Sequence, residues 1–280
     1  MHRRRFAAFR LAGLAAAVLA GAAPAAGEPD VVRLTPHRVV YDLALVKGGG
    51  ARGMEGARGR IAFDFTGDAC EGYALNYRQV TVLEGGETGT RTSDLRTTTF
   101  ESGDGQTLRF KTDSQLEGSK RSAVDGEAER RADRFSIRLQ QPQRETLSFA
   151  DTPLFPTAHM KRLIAAARAG DTTLNAKVFD GSDDGRKVYD TLAVIGRRIA
   201  SGAGDVEPAA RQDGLARLPR WPVTLSYFAP GEGERTPVYT ISFELYDNGV
   251  SRALRLDYGD FILTGELQNL QLQAESACPR

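Results

Sequence analysis

The sequence has very few of the residues that build metal centres and redox sites. Its 280 residues include two cysteines, Cys70 and Cys278, and three histidines. The cysteines do not form a Cys-x-x-Cys pair, and neither His37 nor His159 has a cysteine, glutamate or second histidine at metal-ligand spacing. We therefore expect no metal site and no cofactor.

The sequence also lacks an excess of positive or negative charge. Lys+Arg number 37 and Asp+Glu number 36, which gives a formal charge of +1 at pH 7. This balance argues against nucleic acid as a partner, because binding to phosphate backbones requires a basic surface.

The one conspicuous apolar run, from Leu11 to about Ala23, is too short to anchor the chain permanently in a bilayer. Four arginines precede it and the small residues 23–27 follow it, which is the pattern of a secretory signal peptide. We expect cleavage just after Ala26, so that residues 1–26 are the signal peptide and residues 27–280 form a single mainly-β domain. The domain then carries 33 basic residues (37 − 4) against 36 acidic ones, a formal charge of −3. In a Gram-negative host it resides in the periplasm, with no transmembrane segment after cleavage.

Sequence motifs for catalysis are also missing. There is no Gly-x-Ser-x-Gly string, and the glycine-rich residues 48–59 lack the Gly-Lys-Ser/Thr ending of a phosphate-binding loop, so they are interpreted as a hairpin connection. Residues 180–185 imitate the start of a calcium loop, but Thr191 stands where the twelfth-position glutamate belongs. We interpret them as a hairpin turn and expect no enzyme activity. A hydrolase of peptidoglycan or lipid is the lowest-ranked function.

What the sequence does contain is a two-residue hydrophobic period, clearest near the C-terminus. Residues 238–246 alternate between apolar and polar, residues 250–258 return, and Asn248-Gly249 between them predicts a type I′ hairpin turn. Counting outward from that turn pairs apolar with apolar and polar with polar residues, as a correct register demands. The predicted pairs are Phe243–Leu254, Ile241–Leu256, Tyr239–Tyr258, Ser242–Arg255 and Thr240–Asp257. A third strand is predicted over residues 261–274.

The rest of the chain predicts more strands and one clear helix. Residues 157–169 carry apolar side chains at helical spacing, with Thr157 as N-cap and Gly170 as the stop, and residues 213–218 predict a short helical turn. Together these elements predict a strongly curved, mainly antiparallel sheet with a helix packed on it. The other predicted strands cover residues 38–46, 60–65, 70–83, 88–100, 107–112, 134–139, 145–149, 172–179, 186–197 and 222–228, with weakly marked ones between 113 and 133.

Whether the protein has a ligand site depends on what covers the apolar face of the C-terminal hairpin, residues 238–258. Ile241, Phe243, Leu254 and Leu256 share one face, and the helix presents Met160 and Leu163 in its apolar stripe. If space is left between helix and sheet, these six residues line a site for an apolar ligand. If no space is left, they form an ordinary core, and the sequence leaves both alternatives open.

The two cysteines predict one disulfide between Cys70 and Cys278, because an exported chain meets an oxidising environment. The alternative is two free buried thiols.

Several strings, taken together and in order, resemble the EipB family of cell-envelope-integrity proteins over nearly all of residues 27–280. The strings that carry the resemblance are residues 60–65, Gly67-Asp68-Ala69-Cys70-Glu71-Gly72-Tyr73, Leu154-Phe155-Pro156-Thr157 with His159-Met160, residues 178–190, Arg220-Trp221-Pro222-Val223 and residues 241–256.

The resemblance implies a periplasmic protein with a spiral-like β-sheet, or half-barrel, and one or two helices in its concavity. It implies a fold similar to those of periplasmic lipoprotein and lipid carriers, a disulfide at the positions of Cys70 and Cys278, and a role in envelope integrity without established catalysis. A periplasmic tetratricopeptide-repeat protein is implied as a partner. The leading hypothesis is therefore a non-enzymatic protein that binds a lipid or other apolar ligand, and the alternative is an interaction scaffold with no small ligand.

Overall fold

The structure is a computed structural model that describes residues 31–46, 54–85, 89–231 and 233–275. The expected signal peptide, its cleavage site and Cys278 lie outside these residues. Fourteen strands and two α-helices form within them, in addition to a 3-10 turn at Pro208–Ala210. The strands are β1 (His37–Leu45), β2 (Met54–Asp68), β3 (Gly72–Gly85), β4 (Gly89–Ser102), β5 (Thr107–Leu116), β6 (Ser122–Arg131), β7 (Arg134–Gln141), β8 (Glu145–Phe149), β9 (Thr173–Val178), β10 (Tyr189–Ile195), β11 (Arg220–Phe228), β12 (Tyr239–Tyr246), β13 (Ser251–Asp257) and β14 (Ile262–Leu272), and the helices are α1 (Pro156–Ala169) and α2 (Asp213–Ala216).

All fourteen strands belong to one antiparallel sheet. Their order is β8-β7-β6-β5-β4-β3-β2-β1-β14-β13-β12-β11-β10-β9. Strands that are consecutive in sequence therefore lie side by side, with the single exception of β8 and β9. The first and last strands pair with each other in the middle of the sheet, and β8 and β9 lie at its two ends with α1 between them in sequence.

The sheet is strongly curved, as the sequence predicts. Gln79 on β3 donates a side-chain hydrogen bond of 3.3 Å to the hydroxyl of Tyr258, just beyond β13. These strands are four steps apart in the strand order, which is about 19 Å along a flat sheet. Since side chains stand roughly perpendicular to a sheet, the two can meet only if the sheet bends around its concave face.

The two ends of the strand order are also linked. Leu154, between β8 and α1, forms a parallel bridge with Val178 of β9. Its N–H donates to the carbonyl of Lys177 at 2.8 Å, and its carbonyl accepts from the N–H of Phe179 at 3.0 Å. The segment that follows β8 at one end of the sheet is therefore hydrogen-bonded to β9 at the other end.

Helix α1 ends where predicted but begins one residue earlier. Gly170 adopts φ 84° and its N–H donates to Ala167, which closes the helix in the left-handed conformation that glycine allows. The prediction that Thr157 is the N-cap is wrong, because Pro156 already occupies the first helical position. Two N–H groups of the first turn, those of Thr157 and Ala158, instead donate to the side chain of Glu101 on β4.

The hairpin register is confirmed for the pairs away from the turn, but the turn type is wrong. Thr240–Asp257, Ile241–Leu256 and Ser242–Arg255 pair as predicted. The tip is a three-residue loop, in which the N–H of Gly249 donates to Tyr246 and only Gly249 has positive φ. A bulge on β13 at Ala253, which has φ 52°, places Ala253 and Leu254 opposite Phe243 and shifts the register by one residue. The predicted Phe243–Leu254 pair therefore falls at the bulge. The two departures cancel, so the outer pairs coincide with those counted from a two-residue turn.

Two other segments are more regular than the sequence suggests. Residues 54–59, predicted as part of a loop, belong to β2, and a Cβ on Gly59 would lie 2.3 Å from the carbonyl oxygen of Val80. Glycine is therefore needed there because the strands approach closely. The polar interval after residue 113 contains β6, whose inward residues Val124 and Ala128 are small enough to give only a weak apolar signal.

Residues 180–185 connect β9 to β10, as the hairpin-turn interpretation predicts. Gly181 and Gly185 have φ near +72° and pack against Phe110, so the loop covers the smaller of two hydrophobic clusters. That cluster consists of Leu108, Phe110, Val124, Ala128, Phe135, Ile137, Leu139, Phe155 and Phe179. The larger cluster joins α1, α2 and the inward faces of β1–β3 and β10–β14.

Candidate ligand cavity

The concave face is not completely filled. A cavity of ≈ 390 Å³ lies between the first half of α1, the tip of the β12–β13 hairpin and the inward faces of β1–β4 and β11–β13. Ligand pockets in proteins span about 300–1,000 Å³, so the volume suits a small ligand or one lipid chain. The lining residues are Leu34, Thr35, His37, Tyr41, Ile61, Phe63, Phe65, Tyr73, Leu75, Tyr77, Thr99, Glu101, Pro156, Thr157, Met160, Leu225, Tyr227, Tyr239, Ile241, Phe243, Asn248, Gly249, Ser251, Leu254 and Leu256.

Five of the six residues predicted from the sequence line this cavity. Ile241, Phe243, Leu254 and Leu256 form the strand wall, and Met160 faces it from α1. The sixth, Leu163, is 1 % exposed within the larger hydrophobic cluster and does not line the cavity, because the helix packs tightly there. Ligand binding by any of these residues stays a prediction.

The opposite wall comes from strands whose role the sequence alone did not reveal. Ile61, Phe63 and Phe65 of β2 alternate at the period of a strand, and Tyr73 and Tyr77 do the same on β3. Phe65 and Tyr73 stack with ring centroids 5.0 Å apart. The alternation identifies an inward face, but only the curvature of the sheet brings this face opposite the C-terminal hairpin.

Glu101 is the one acidic residue in the wall, and it accepts hydrogen bonds from the first turn of α1. Its carboxylate accepts the N–H of Thr157 at 2.7 Å and of Ala158 at 3.0 Å, although the residue is only 4 % exposed. An acid at this place complements the positive end of the helix dipole. Burial raises the pKa of Glu101, and the two amides oppose that rise only in part.

His37 is the histidine of the wall. Its Nδ1 lies 2.7 Å from the carbonyl oxygen of Thr35, so Nδ1 carries the proton, and its ring packs edge-on against Phe63 at 5.2 Å. Burial lowers the pKa of His37, and the side chain is therefore neutral at physiological pH.

A group of uncharged polar side chains lies beside the cavity on β3 and at the adjacent ends of β12 and β13. Tyr77 donates to Gln79 Oε1 at 2.6 Å, and Gln79 Nε2 lies 3.3 Å from both Thr81 Oγ1 and the hydroxyl of Tyr258. The Tyr258 ring lies 5.2 Å from that of Tyr239. We name Tyr77, Gln79, Thr81, Tyr239 and Tyr258 the tyrosine–glutamine cluster.

The described part of the chain contains no group of three or more His, Cys, Asp or Glu side chains that could hold a metal ion. His159 is buried in α1 without a hydrogen-bond partner for Nε2, and burial lowers its pKa to about 4. A histidine that is buried, neutral and not paired with an acid or a nucleophile lacks the arrangement that general-base catalysis needs.

Within the described residues, no helix is both long enough and apolar enough to span a membrane. The expected periplasmic location, the tetratricopeptide-repeat partner and the Cys70–Cys278 disulfide stay predictions.

Comparison with known proteins extends the resemblance seen in the sequence. A family model described as EipB-like matches residues 28–274. The cell envelope integrity protein EipB of Brucella abortus (strain 2308) is 37% identical over 254 residues, which cover 90% of this chain and 89% of that protein. A crystal structure of a beta-barrel-like protein with a domain of unknown function, also from Brucella abortus, superimposes with a TM-score of 0.80 and 37% identity over 87% of this chain and 100% of that one. The chain therefore belongs to the EipB-like family.

Proposed function

We propose that this protein is exported to the periplasm, where it supports the integrity of the cell envelope by holding a lipid or another apolar ligand in its concave cavity. It acts by binding, without chemical turnover. The envelope role is suggested by the name of the 37% identical relative.

The observation that carries the ligand part is the unfilled apolar space. Protein interiors are normally packed as densely as organic crystals, so ≈ 390 Å³ lined by aromatic and aliphatic side chains is a departure from an ordinary core. Burying one methylene of a ligand chain there is worth about 0.8 kcal/mol, so a short alkyl chain already supplies useful affinity.

The test uses protein purified from its native host. Lipid extraction and mass spectrometry should find a reproducible apolar compound bound to the wild type. Ile241→Trp places a large ring inside the cavity and should abolish that compound. Val194→Trp is the matched control, because Val194 is 50% exposed on β10, two strands from β12, and lies outside the cavity.

The same two variants test whether envelope integrity depends on the cavity. In a strain that lacks the gene, Val194→Trp should restore resistance to detergents, and Ile241→Trp should not, at equal protein levels. Full rescue by Ile241→Trp would separate the envelope role from the cavity. Repeated extraction of the wild type without any bound compound would contradict the ligand.

A further inference from the structure

The cavity wall contains no positive charge that could hold an anionic head group. Among its described lining residues none is lysine or arginine, and His37 is neutral with its one proton on Nδ1. Glu101 is an acid whose two oxygens already accept amides of α1. A buried carboxylate or phosphate would therefore be unpaired, which strongly disfavours its binding.

The wall has uncharged polar side chains at several places, such as Thr35, Asn248 and Ser251 near the hairpin tip, and another such place is the tyrosine–glutamine cluster. Two of its members, Tyr77 and Tyr239, line the cavity, whereas Gln79 and Tyr258 contact these two, Thr81 contacts Gln79, and none of these three lines it. Tyr227 also lines the cavity, and its ring lies 6.1 Å from that of Tyr239. Burial raises the pKa of Tyr77, Tyr239 and Tyr258, so all three phenols keep their protons. The cluster thus offers hydrogen bonds without offering charge.

The cluster also has hydrogen-bonding capacity left. The Tyr258 hydroxyl accepts from Gln79 and is also hydrogen-bonded to Tyr239; with Tyr239 as the donor, Tyr258 keeps its own proton to donate. The Tyr77 hydroxyl donates to Gln79 and keeps its lone pairs to accept. A ligand group that both donates and accepts, such as an alcohol, can use both, whereas a carboxylate can only accept.

We propose that the ligand is a lipid with an uncharged, hydroxyl-bearing polar end, and that this end binds at the tyrosine–glutamine cluster while the alkyl part fills the cavity. The inference rests on the proposed function, since it assumes that the cavity binds an apolar chain. The inference adds the chemical class of the ligand and the orientation of the ligand in the cavity.

The main rival is an anionic lipid held by Lys161. The Nζ of this residue lies 4.8 Å from the ring centroid of Tyr73, whose side chain lines the cavity. Lys161 does not itself line the cavity. A fatty acid could place its carboxylate beside Lys161, and the experiment has to separate this arrangement from binding at the cluster.

Three probes with the same alkyl chain make that separation: dodecan-1-ol, dodecanoate and dodecyltrimethylammonium. Affinities are measured by calorimetry at neutral pH, below the micelle concentration of the two ionic probes and below the solubility limit of dodecan-1-ol. We expect dodecan-1-ol to bind tighter than dodecanoate by about tenfold or more, and dodecyltrimethylammonium to bind no better than dodecanoate.

Variants then locate the polar end. Tyr258→Phe and Gln79→Leu should each weaken dodecan-1-ol binding by about five- to tenfold and reduce its advantage over dodecanoate. Tyr246→Phe is the control, because it removes a hydroxyl from a buried tyrosine that belongs neither to the tyrosine–glutamine cluster nor to the cavity lining. Tyr258→Phe preserves the ring, so it keeps the test decisive if Gln79→Leu does not fold.

The outcomes are distinct. Dodecanoate binding as tightly as dodecan-1-ol, with a loss in Lys161→Met, would overturn the inference in favour of the anionic lipid. An alcohol preference that survives both cluster variants would overturn the placement at the cluster. Absence of binding by all three probes would contradict the proposed function itself, and the inference would fall with it.

Discussion

Glu101 combines two roles that usually conflict, since it is a buried acid and the cap of a helix. It reaches from the end of β4 to the first turn of α1, and its distances of 2.7 and 3.0 Å to two backbone amides are those of charge-assisted hydrogen bonds. The sequence could not reveal this cap, because Glu101 lies more than fifty positions from the helix it serves. Local capping rules led to Thr157 instead.

Replacing Glu101 with alanine should reduce the free energy of unfolding by about 1–2 kcal/mol, because two buried N–H groups lose their acceptor. The effect should depend on pH. The pKa of Glu101 is raised in the folded protein above the unfolded value of 4.5, so the wild type gains stability as pH falls from neutral toward 4.5, and the variant does not. The gap between the two should therefore widen on acidification, as measured by urea denaturation at several pH values.

Glu266→Ala is the control for this experiment, because Glu266 lies on the exposed face of β14. Its unfolding free energy should stay within about 0.5 kcal/mol of the wild type. If the difference in unfolding free energy between the wild type and Glu101→Ala narrows on acidification, the hydrogen bonds from the amides, and not burial, dominate the pKa of Glu101.

The β12–β13 hairpin depends on one glycine. Gly249 has φ 89°, which a residue with a side chain rarely adopts, and a Cβ there would lie 2.8 Å from Leu34 Cδ2. Leu34 is 3% exposed and lines the cavity together with Gly249. Gly249→Ala should therefore destabilise the protein through backbone strain of about 1–2 kcal/mol and through crowding of roughly another 1 kcal/mol.

Gly118→Ala separates these two contributions. Gly118 has φ 79° in the turn between β5 and β6, and nothing lies within 4 Å of the position where its Cβ would be. It should show the strain alone in thermal or urea unfolding. Equal losses in the two variants would mean that Leu34 moves aside at no cost.

The same hairpin illustrates what could be predicted from the sequence. Its register away from the turn was predictable, because Ile241 and Leu256 must share a buried face. Its turn type was not, because a three-residue tip combined with a bulge at Ala253 gives the same outer pairs as a two-residue turn. Periodicity identifies which side chains face inward and is insensitive to compensating insertions.

Whether the concave face is a core or a cavity was also beyond the sequence. Met160 and Leu163 lie three positions apart on one helix face, yet the first lines the cavity and the second is packed in the core. The difference depends on how closely α1 approaches the sheet, which involves Glu101 and the Arg168–Asp247 ion pair at the two ends of the helix. Such distant contacts leave no periodic signal.

The strand order supports the predicted Cys70–Cys278 disulfide. Leu272 at the end of β14 pairs with His37, which pairs with Phe65 of β2, and Cys70 lies in the turn that follows β2. Two strand spacings are about 9.5 Å, and the five residues from Phe65 to Cys70 add about 16.5 Å along the strand direction, which gives a separation of about 19 Å. Six extended residues beyond Leu272 can span about 20 Å. The end of the chain can therefore reach the β2–β3 turn.

Replacing Cys278 with serine should remove the mobility difference between reduced and non-reduced gels and lower the thermal midpoint. The loss is at most about 5 kcal/mol in the chain-entropy model for a loop of roughly 200 residues. Cys70→Ser should give the same result, and the double variant should match each single one. A mobility difference that persists in either single variant would show that this disulfide does not form.

The pairing of β1 with β14 has a consequence for how the chain is made. Synthesis begins at the N-terminus, so β1 is complete long before its central partner exists. Until β14 is released, both β1 and β13 present open edges in what becomes the middle of the sheet, and open edges invite pairing with other chains. The newborn chain thus keeps two open edges until β14 is released, and a product that ends before Ile262 would lose the strand that joins the two halves of the sheet.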